Sequence, residues 1–384
     1  MLAGCTPAQV VPSGGGSVPV TATSAPTASA TPEPPQVPLG DVPKDATADL
    51  AVSPVDYGGK SVVVAGFGEP VANRPVSLQL QTTTGWQEIA SGEQDGKGMA
   101  EFIVKAPAAT YRAVALEHTV DGSTRTAVST PKASAKDQWK SVFSDDFDGS
   151  RLKSPWEVRF PGLYYQSRWC SSSYPSMVKV KGGVLSLSVA RASAVRTRQV
   201  RAEAARETGT KTSKACRYGV YDNGMISTEG RSTFRYGTFA VRMKFPHQRG
   251  MHAAAWMQTP GGKDVEIDFI ETFGHGSKGL QNMLHPKSAK GERLDVGDYV
   301  NNVPGVQSRE WWDQYHVATV EWSPKGYVFR IDGVETFRTS KATSNKPKFL
   351  VLSLLSSDYE TDRLSPSQLP ASLKVDWVRI WQRR

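Results

Sequence analysis

The segment Glu266-Ile-Asp268-Phe-Ile-Glu271 places three carboxylates in a stretch that is otherwise apolar and β-prone. In a regular strand, side chains alternate between the two faces, so Glu266 and Asp268 point the same way. Glu271 is an odd number of residues from Glu266, and strict alternation would turn it to the opposite face. One extra residue, a β-bulge near Phe269 or Ile270, would bring it back, and bulges are common beside active sites. The segment therefore predicts a kinked strand with three acids on one face.

Three neighbouring acids cost repulsion and desolvation, which a sequence selected only for stability would avoid. Two carboxyl groups with a third between them suit glycoside hydrolysis. One stays ionised and attacks or stabilises the anomeric carbon, and the other is kept protonated and donates to the leaving oxygen. The alternatives are a solvated acidic edge strand and a calcium-binding patch. Calcium loops usually carry Gly and Asn among their acids, whereas this segment has Ile and Phe, so we favour the catalytic interpretation.

Further blocks surround this segment. They are an opening strand at 143–149, a strand at 236–246, Trp256 ten residues before Glu266, a hairpin at 315–334 and a closing strand at 373–382. Together with the acidic segment, which has the bulged form E-x-D-x-x-E, they resemble glycoside hydrolase family 16 and follow that family's order. The resemblance covers residues 137–384.

The resemblance implies an all-β fold, a concanavalin A-like jelly-roll β-sandwich with the active strand on its concave face. It also implies retention of anomeric configuration, with Glu266 as nucleophile and Glu271 as general acid/base. Asp268 would tune the ionisation of both. A retaining mechanism needs the working carboxyls about 5–5.5 Å apart, which two long Glu side chains over a short Asp can reach. We expect a raised Glu271 pKa, visible as the alkaline limb of the rate profile, and no cofactor for catalysis.

Four residues are predicted to bind substrate. Trp256 matches a cleft tryptophan of the family and is expected to form the floor of the subsite next to the cut, because sugar rings stack on aromatic planes. His285 matches a family position near the acid/base. Arg242 and Asn223 complete the predicted set.

The substrate prediction is a polysaccharide, β-1,3- or mixed β-1,3/1,4-glucan, cleaved within the chain, and it rests on family frequency. The alternatives are hydrolysis or transglycosylation of another β-linked polymer, such as agar, carrageenan or a wall glycan, and a carbohydrate-binding protein without catalysis. Because all three acids are kept, we do not favour the last. The chain departs from the family where members carry Trp-Pro-Ala-Phe-Trp, since it has His252-Ala-Ala-Ala-Trp256, and where Ala240 replaces a Glu.

Metal ions are expected only in a structural role. The six His residues show no metal-ligand spacing, which argues against a catalytic metal. The resemblance implies a structural calcium ion on the face away from the cleft, and Asp146, Gly183 and Asp376 match the family's usual ligands.

A chain of 384 residues is too long for one sandwich and predicts further domains. Residues 6–48 contain nine Pro and no aromatic residue, so the segment 1–48 is predicted to be a disordered linker. Residues 49–132 show five to seven short strand patterns and predict a small immunoglobulin-like β-sandwich that acts as a spacer. The catalytic domain is expected over 137–384.

Cysteine usage favours export. Leu2-Ala3-Gly4-Cys5 looks like a bacterial lipobox, which predicts lipidation of Cys5, although the basic and apolar parts of a signal peptide do not precede it here. Cys170 and Cys216 then remain as a pair, either an extracellular disulfide, which we favour, or two buried thiols. We therefore expect a secreted or extracellular protein, attached to a membrane only through a lipid on Cys5.

The net charge of +9 is concentrated in residues 191–217, which carry eight Lys or Arg against two Glu. Such a run is usually a solvated loop or small helix, and the alternative is attraction to an anionic polymer. Nucleic acid is not expected as a partner, since no binding fold accompanies the charge. The protein is expected to be a monomer.

Overall fold

β-Strands provide most of the regular structure in the computed structural model, which describes residues 40–55, 57–105, 108–163, 169–274, 279–288, 290–300, 303, 312, 314–356 and 360–384. The strands that precede residue 132 are β1 (Asp49–Val52), β2 (Lys60–Gly66), β3 (Pro75–Thr82), β4 (Gly85–Glu93), β5 (Met99–Lys105), β6 (Tyr111–Ala115), β7 (His118–Val120), β8 (Ser123–Arg125) and β9 (Val128–Ser129).

These strands form a small two-sheet sandwich, here called the N-terminal module. One sheet has the order β1-β2-β5 and the other β4-β3-β6-β9, while β7 and β8 pair as a separate hairpin. Buried apolar side chains fill the space between the sheets, among them Leu50, Val63, Leu78 and Phe102. Lys44 pairs with Ser129, so ordered structure begins inside the segment predicted as linker. The immunoglobulin-like assignment stays a prediction.

The larger domain follows. Its elements are α1 (Ala135–Gln138), β10 (Trp139–Asp145), β11 (Glu157–Val158), β12 (Gly162–Leu163), β13 (Ser171–Ser173), β14 (Val178–Val180), β15 (Leu185–Arg191), α2 (Ala194–Thr208), β16 (Tyr221–Ser227), β17 (Gly237–Lys244), β18 (His252–Gln258), β19 (Glu266–Thr272), β20 (Gln281–His285), β21 (Val296–Tyr299), β22 (His316–Ser323), β23 (Gly326–Ile331), β24 (Val334–Thr339), β25 (Phe349–Leu355) and β26 (Ala371–Arg383). Short 3₁₀ turns occupy Pro175–Met177, Thr361–Arg363 and Pro366–Gln368.

The domain is a jelly-roll β-sandwich of two facing layers. In the cleft sheet, neighbouring strands run in the order β11-β16-β25-β18-β19-β20-β21. In the outer sheet, β26 pairs with β10 and β15 along one edge and with β17 along the other, and β22, β23 and β24 continue from β17. Strand β16 pairs with both β15 and β25 and so links the two layers. Leu187, Phe239, Ile267 and Leu352 are fully or almost fully buried between them.

The basic stretch forms helix α2, as the small-helix interpretation predicted. Ser193 caps its start by accepting a hydrogen bond from the Arg196 amide, and Gly209 ends it in the left-handed conformation. Cys170 and Cys216 form a disulfide, which packs against the buried face of the helix at Val200 and its neighbours. Among the described residues, no helix combines the length and apolarity that crossing a membrane requires.

The N-terminal module packs against the outer sheet, on the side away from the sandwich core. Val55 and Val62 of the module lie in one buried cluster with Ala240 and Val317 of the outer sheet. Tyr57 of the module lies in the same buried cluster. The module therefore contacts the larger domain closely, which the prediction of a plain spacer did not include.

Candidate active site

Strand β19 carries the bulge that the sequence predicts. Along β18, Ala255 is opposite Ile270 and the next residue, Trp256, is opposite Asp268, so Phe269 is the extra residue. Because of this extra residue, the Glu271 side chain returns to the face of Glu266 and Asp268. Phe269 and Ile270 are both buried in the sandwich core, whereas alternation alone placed only one of them there.

An open cavity of about 750 Å³ covers this face of the cleft sheet, and all three acids line it. Its other walls come from β18, β20, β25 and the adjoining loops. They include Arg159, Phe160, His252, Trp256, Gln258, Phe273, Gln281, Met283, His285, Lys287, Arg293, Asp295, Tyr299 and Ser353.

Glu266 is held by two donors. Gln258 Nε2 donates to Glu266 Oε2 at 2.9 Å, and Arg293 Nη1 lies 3.2 Å from Oε1. Its side chain is 16% exposed, so it is in reach of a molecule in the cavity. Two donors on the two carboxyl oxygens fix the orientation of the group, which a nucleophile requires.

Asp268 is buried between the other two acids and faces His285. Burial, followed by the charge of Glu266, raises the pKa of Asp268 to about 7, although contact with His285 opposes the rise. Burial lowers the pKa of His285, but its contact with Asp268 outweighs this and raises it overall. Asp268 therefore keeps its proton to a higher pH than an ordinary aspartate does.

Glu271 is equally buried, but its partners act in the opposite direction. Burial alone raises the pKa of Glu271, yet the hydrogen bond and charge of His252, with the amide of Gln281, lower it to about 2. His252 Nε2 lies 2.6 Å from Glu271 Oε2, and Gln281 Nε2 donates to Oε1. This reverses the expectation that the pKa of Glu271 is raised, because that expectation did not include a histidine beside the carboxyl.

Comparison with known families decides the class of this site. A family model described as glycosyl hydrolases family 16 matches residues 175–379, more than half of the chain. The chain belongs to glycoside hydrolase family 16. It is therefore a glycoside hydrolase, and hydrolysis in this family retains the anomeric configuration.

Several proteins of this family are similar to the chain. A "Beta-glucanase" of Rhodothermus marinus is 23% identical over 271 residues, 64% of this chain and 85% of the relative. A "Glucan endo-1,3-beta-glucosidase A1" of Niallia circulans is 25% identical over 188 residues, 43% of this chain and 27% of the relative, so the chain spans about a quarter of it. Among solved structures, the Rhodothermus marinus laminarinase has a TM-score of 0.49 at 21% identity and covers 64% of this chain and 98% of its own.

Within this family 16 site, Trp256 lies on the cavity wall, directly opposite Asp268 in the sheet. Its Nε1 donates to Ser353 Oγ at 3.2 Å, and the Arg159 guanidinium lies 5.2 Å from its ring. The ring is thus fixed in orientation, and its predicted role as the floor of a sugar subsite stays a prediction.

Two predicted substrate-binding residues lie elsewhere. Arg242 is on the outer sheet, where it pairs with Asp376 and lies 4.5 Å from the Tyr315 ring. Asn223 is buried in β16 and accepts a hydrogen bond from Ser356 Oγ at 3.4 Å, outside the cavity lining. Both side chains thus lie outside the cavity lining, and sequence position near the cleft strands does not reveal which layer or face a side chain occupies.

The predicted calcium ligands do not fit as a side-chain site. Asp146 Oδ1 lies 2.6 Å from Arg379 Nη2, and Asp376 pairs with Arg242. Each carboxylate is thus already paired with a guanidinium group. A Cβ placed on Gly183 would lie 3.9 Å from the Asp146 carbonyl oxygen, so these two segments of backbone lie close together. Calcium binding through them stays a prediction.

Sequence reasoning missed the partners of the acids, namely His252, Gln258, Gln281 and Arg293. For two of them a signal was present. His252 and Gln258 are an even number of residues from Trp256 on the same strand, so alternation places all three on one face. Lipidation of Cys5 lies outside the described residues.

Proposed function

We propose that this family 16 enzyme is an endo-acting hydrolase of β-1,3- or mixed β-1,3/1,4-glucan that forms a covalent glycosyl-enzyme. The observation that carries the proposal is the bulge at Phe269, which gathers three acids on one cavity wall. The names of the Rhodothermus marinus and Niallia circulans relatives support the glucan.

In the first step, Glu266 attacks the anomeric carbon while the bond to the leaving oxygen breaks, and its electron pair stays on that oxygen. Glu271 supplies the proton that the leaving oxygen takes up. Gln258 and Arg293 hold the Glu266 carboxyl in one orientation for the attack. The raised pKa of Asp268 reduces the negative charge that this acid places between the two glutamates.

In the second step, water attacks the same carbon and Glu266 leaves as a carboxylate. Glu271, now a carboxylate, takes the water proton and returns to its starting state. Two displacements at one carbon give net retention.

The experiment is hydrolysis of a glycan panel. Reducing-sugar release from laminarin and lichenan, with none from agarose or carrageenan, would support the glucan. Proton NMR of the first product should show the β-anomer before mutarotation. Mixed oligosaccharides at early times would support endo cleavage, and a single small product would contradict it.

A second candidate substrate is an anionic β-galactan, because the cationic residues Arg159, Lys287 and Arg293 line the cavity. Two of these charges are partly neutralised, since Arg159 pairs with Glu229 and Arg293 with Glu266. We therefore place the anionic galactan second to the glucan. If more reducing sugar is released from carrageenan than from laminarin, the galactan becomes the first candidate.

We also propose export, with a lipid on Cys5 and the N-terminal module holding the enzyme near the cell surface. The Leu-Ala-Gly-Cys sequence supports lipidation, and the Cys170–Cys216 disulfide suits an oxidising compartment. Labelled fatty acid should be incorporated into the wild type and not into Cys5→Ala. Light scattering should give the mass of a monomer.

A further inference from the structure

His252 begins strand β18 and contacts Glu271 of the neighbouring strand β19 directly. Its Nε2 lies 2.6 Å from Glu271 Oε2, and its ring packs against Phe273 with centroids 4.4 Å apart. The side chain is only 11% exposed. An imidazole is thus held in one orientation against the carboxyl that handles the proton.

A second buried acid lies on the other side of the ring. Glu360 Oε1 is 3.9 Å from His252 Nδ1, and the Glu360 side chain is 2% exposed. Gly250 permits this approach, since it has a φ of +74° and a Cβ there would lie 2.9 Å from the Glu360 carbonyl oxygen. The imidazole therefore lies between two carboxyl groups.

The charged and titratable groups around the pair are few among the described residues. Glu271 of β19 and Glu360 face His252, while the neighbouring strand β25 places Leu355 beside it. Glu271 also contacts the neutral amide of Gln281 and feels the charge of His285. Asp268, on the same face of β19, also interacts with the charge of Glu271.

We propose that His252 is a positioning residue that shares the catalytic proton with Glu271, so that the acid/base of this enzyme is a His–Glu pair with the buried Glu360 beside its imidazole. The inference rests on the roles proposed above for Glu266 and Glu271. Before reaction the pair holds one proton. When the glycosidic bond breaks, that proton passes to the leaving oxygen, which leaves Glu271 as a carboxylate and His252 neutral. Water then supplies a proton to the pair as its oxygen joins the anomeric carbon.

A general acid must carry a proton, yet the pKa of Glu271 is lowered to about 2, and His252 is the largest cause of that lowering. The proton that the carboxyl gives up can therefore stay within the pair. An imidazole at hydrogen-bond distance can store that proton and return it to the carboxyl during bond cleavage. Groups this close titrate in steps that belong to the pair rather than to either residue.

The first experiment compares the pH profile of kcat/KM on a soluble β-glucan for the wild type, His252→Gln and Glu360→Gln. A proton shared with a second base is lost at higher pH than one held by a carboxyl alone. We therefore expect His252→Gln to reduce kcat/KM roughly 10- to 100-fold and to move the alkaline limb to lower pH. Glu360→Gln should move the alkaline limb in the same direction as His252→Gln does, but by less. Profiles of unchanged shape would overturn the proposal.

The second experiment observes the proton without using activity. With ¹⁵N-labelled histidine, the ring signals of His252 are assigned by their loss in His252→Gln and followed through pH. The midpoint should move in Glu271→Gln if the two groups share a proton, and an unmoved midpoint would contradict the pair. Melting temperatures of His252→Gln and of the wild type are compared to check that the variant is folded. If the wild type hydrolyses none of the glycans, the proposed function is wrong. If the wild type is active but the titration midpoint of His252 does not respond to Glu271→Gln, only the inference of a shared proton is wrong.

Discussion

Asp268 and His285 face each other from neighbouring strands of the cleft sheet, with Oδ2 2.9 Å from Nε2. The other ring nitrogen of His285 lies 2.7 Å from Asp295 Oδ1, so the imidazole bridges a buried and an exposed carboxyl. Asp268 nevertheless favours its protonated form, because burial and the charge of Glu266 outweigh the histidine. In the folded protein, the ionised form of Asp268 is therefore less favourable than it is in an ordinary aspartate.

Asp268→Asn should stabilise the protein at alkaline pH and not in acid. The folded pKa of about 7 lies above the usual 3.8, so the folded state binds this proton more tightly than the unfolded state. The stability that the proton contributes is present below about pH 4 and is lost as pH rises to about 7. Melting temperatures of both proteins between pH 4 and 9 test this. At pH 8 the melting temperature of the mutant should exceed that of the wild type by roughly 2–4 °C for each kcal/mol of unfavourable charge that is removed. An equal difference in melting temperature at every pH would contradict the raised pKa of Asp268.

Glu266→Gln should abolish turnover while leaving the fold intact. The amide cannot attack the anomeric carbon, yet it keeps the volume of the side chain and can still accept from Gln258. Reducing-sugar release should fall to background, with a melting temperature close to that of the wild type. As a matched control, Glu117→Gln changes an exposed acid of the N-terminal module and should retain full activity.

Glu271→Gln should separate the two chemical steps. On a natural glucan, loss of the proton donor should cost roughly 10²- to 10⁴-fold. An aryl glycoside with a good leaving group needs no acid in the first step, so its aryl group should appear in a burst before the slow second step. Stopped-flow absorbance measures the burst. Full activity on the natural polysaccharide would remove Glu271 from the proposed role.

The sequence was sufficient for the features that depend on local alternation. The bulge at Phe269 follows from the odd spacing of Glu266 and Glu271, and the structure confirms it. The orientation of Arg242 did not follow, because its strand contributes to the outer sheet and its alternate residues face the module or solvent. Layer assignment depends on strand pairing between residues far apart in sequence, which no local pattern encodes.

The electrostatics of the site were equally beyond local reasoning. The direction of the Glu271 pKa depends on His252, which is 19 residues away in sequence and on the next strand. Contacts of this kind exist only after β18 and β19 have paired. The residue types were visible, but their partners were not.

Reduction of the Cys170–Cys216 disulfide should lower stability. The bond closes a loop with a sequence separation of 46 that contains helix α2, and chain-entropy arguments put its contribution at about 4 kcal/mol or less. Denaturant unfolding of the wild type and of Cys170→Ser/Cys216→Ser should show the loss, and a reductant should affect only the wild type. Equal sensitivity of both proteins to the reductant would place the effect elsewhere.

The N-terminal module and the catalytic domain should unfold together, because Tyr57 of the module is buried in their contact. Its hydroxyl lies 3.1 Å from Thr319 Oγ1, and burial raises its pKa to about 12. A separate contact at the same interface joins Arg330 Nη1 to Glu101 Oε1 at 2.8 Å. Calorimetry of the wild type should therefore show one transition over the two sandwiches.

Tyr57→Ala removes an aromatic ring from this contact and should cost about 3–5 kcal/mol, as large-to-small changes of buried aromatic residues do. We expect the single calorimetric transition to divide into two, with the module melting first. Tyr57→Phe, which loses only the hydroxyl, is the matched control and should cost about 1 kcal/mol without dividing the transition. If the wild type already melts in two steps, the contact does not couple the sandwiches. In that case the module acts as the independent spacer that its sequence predicts.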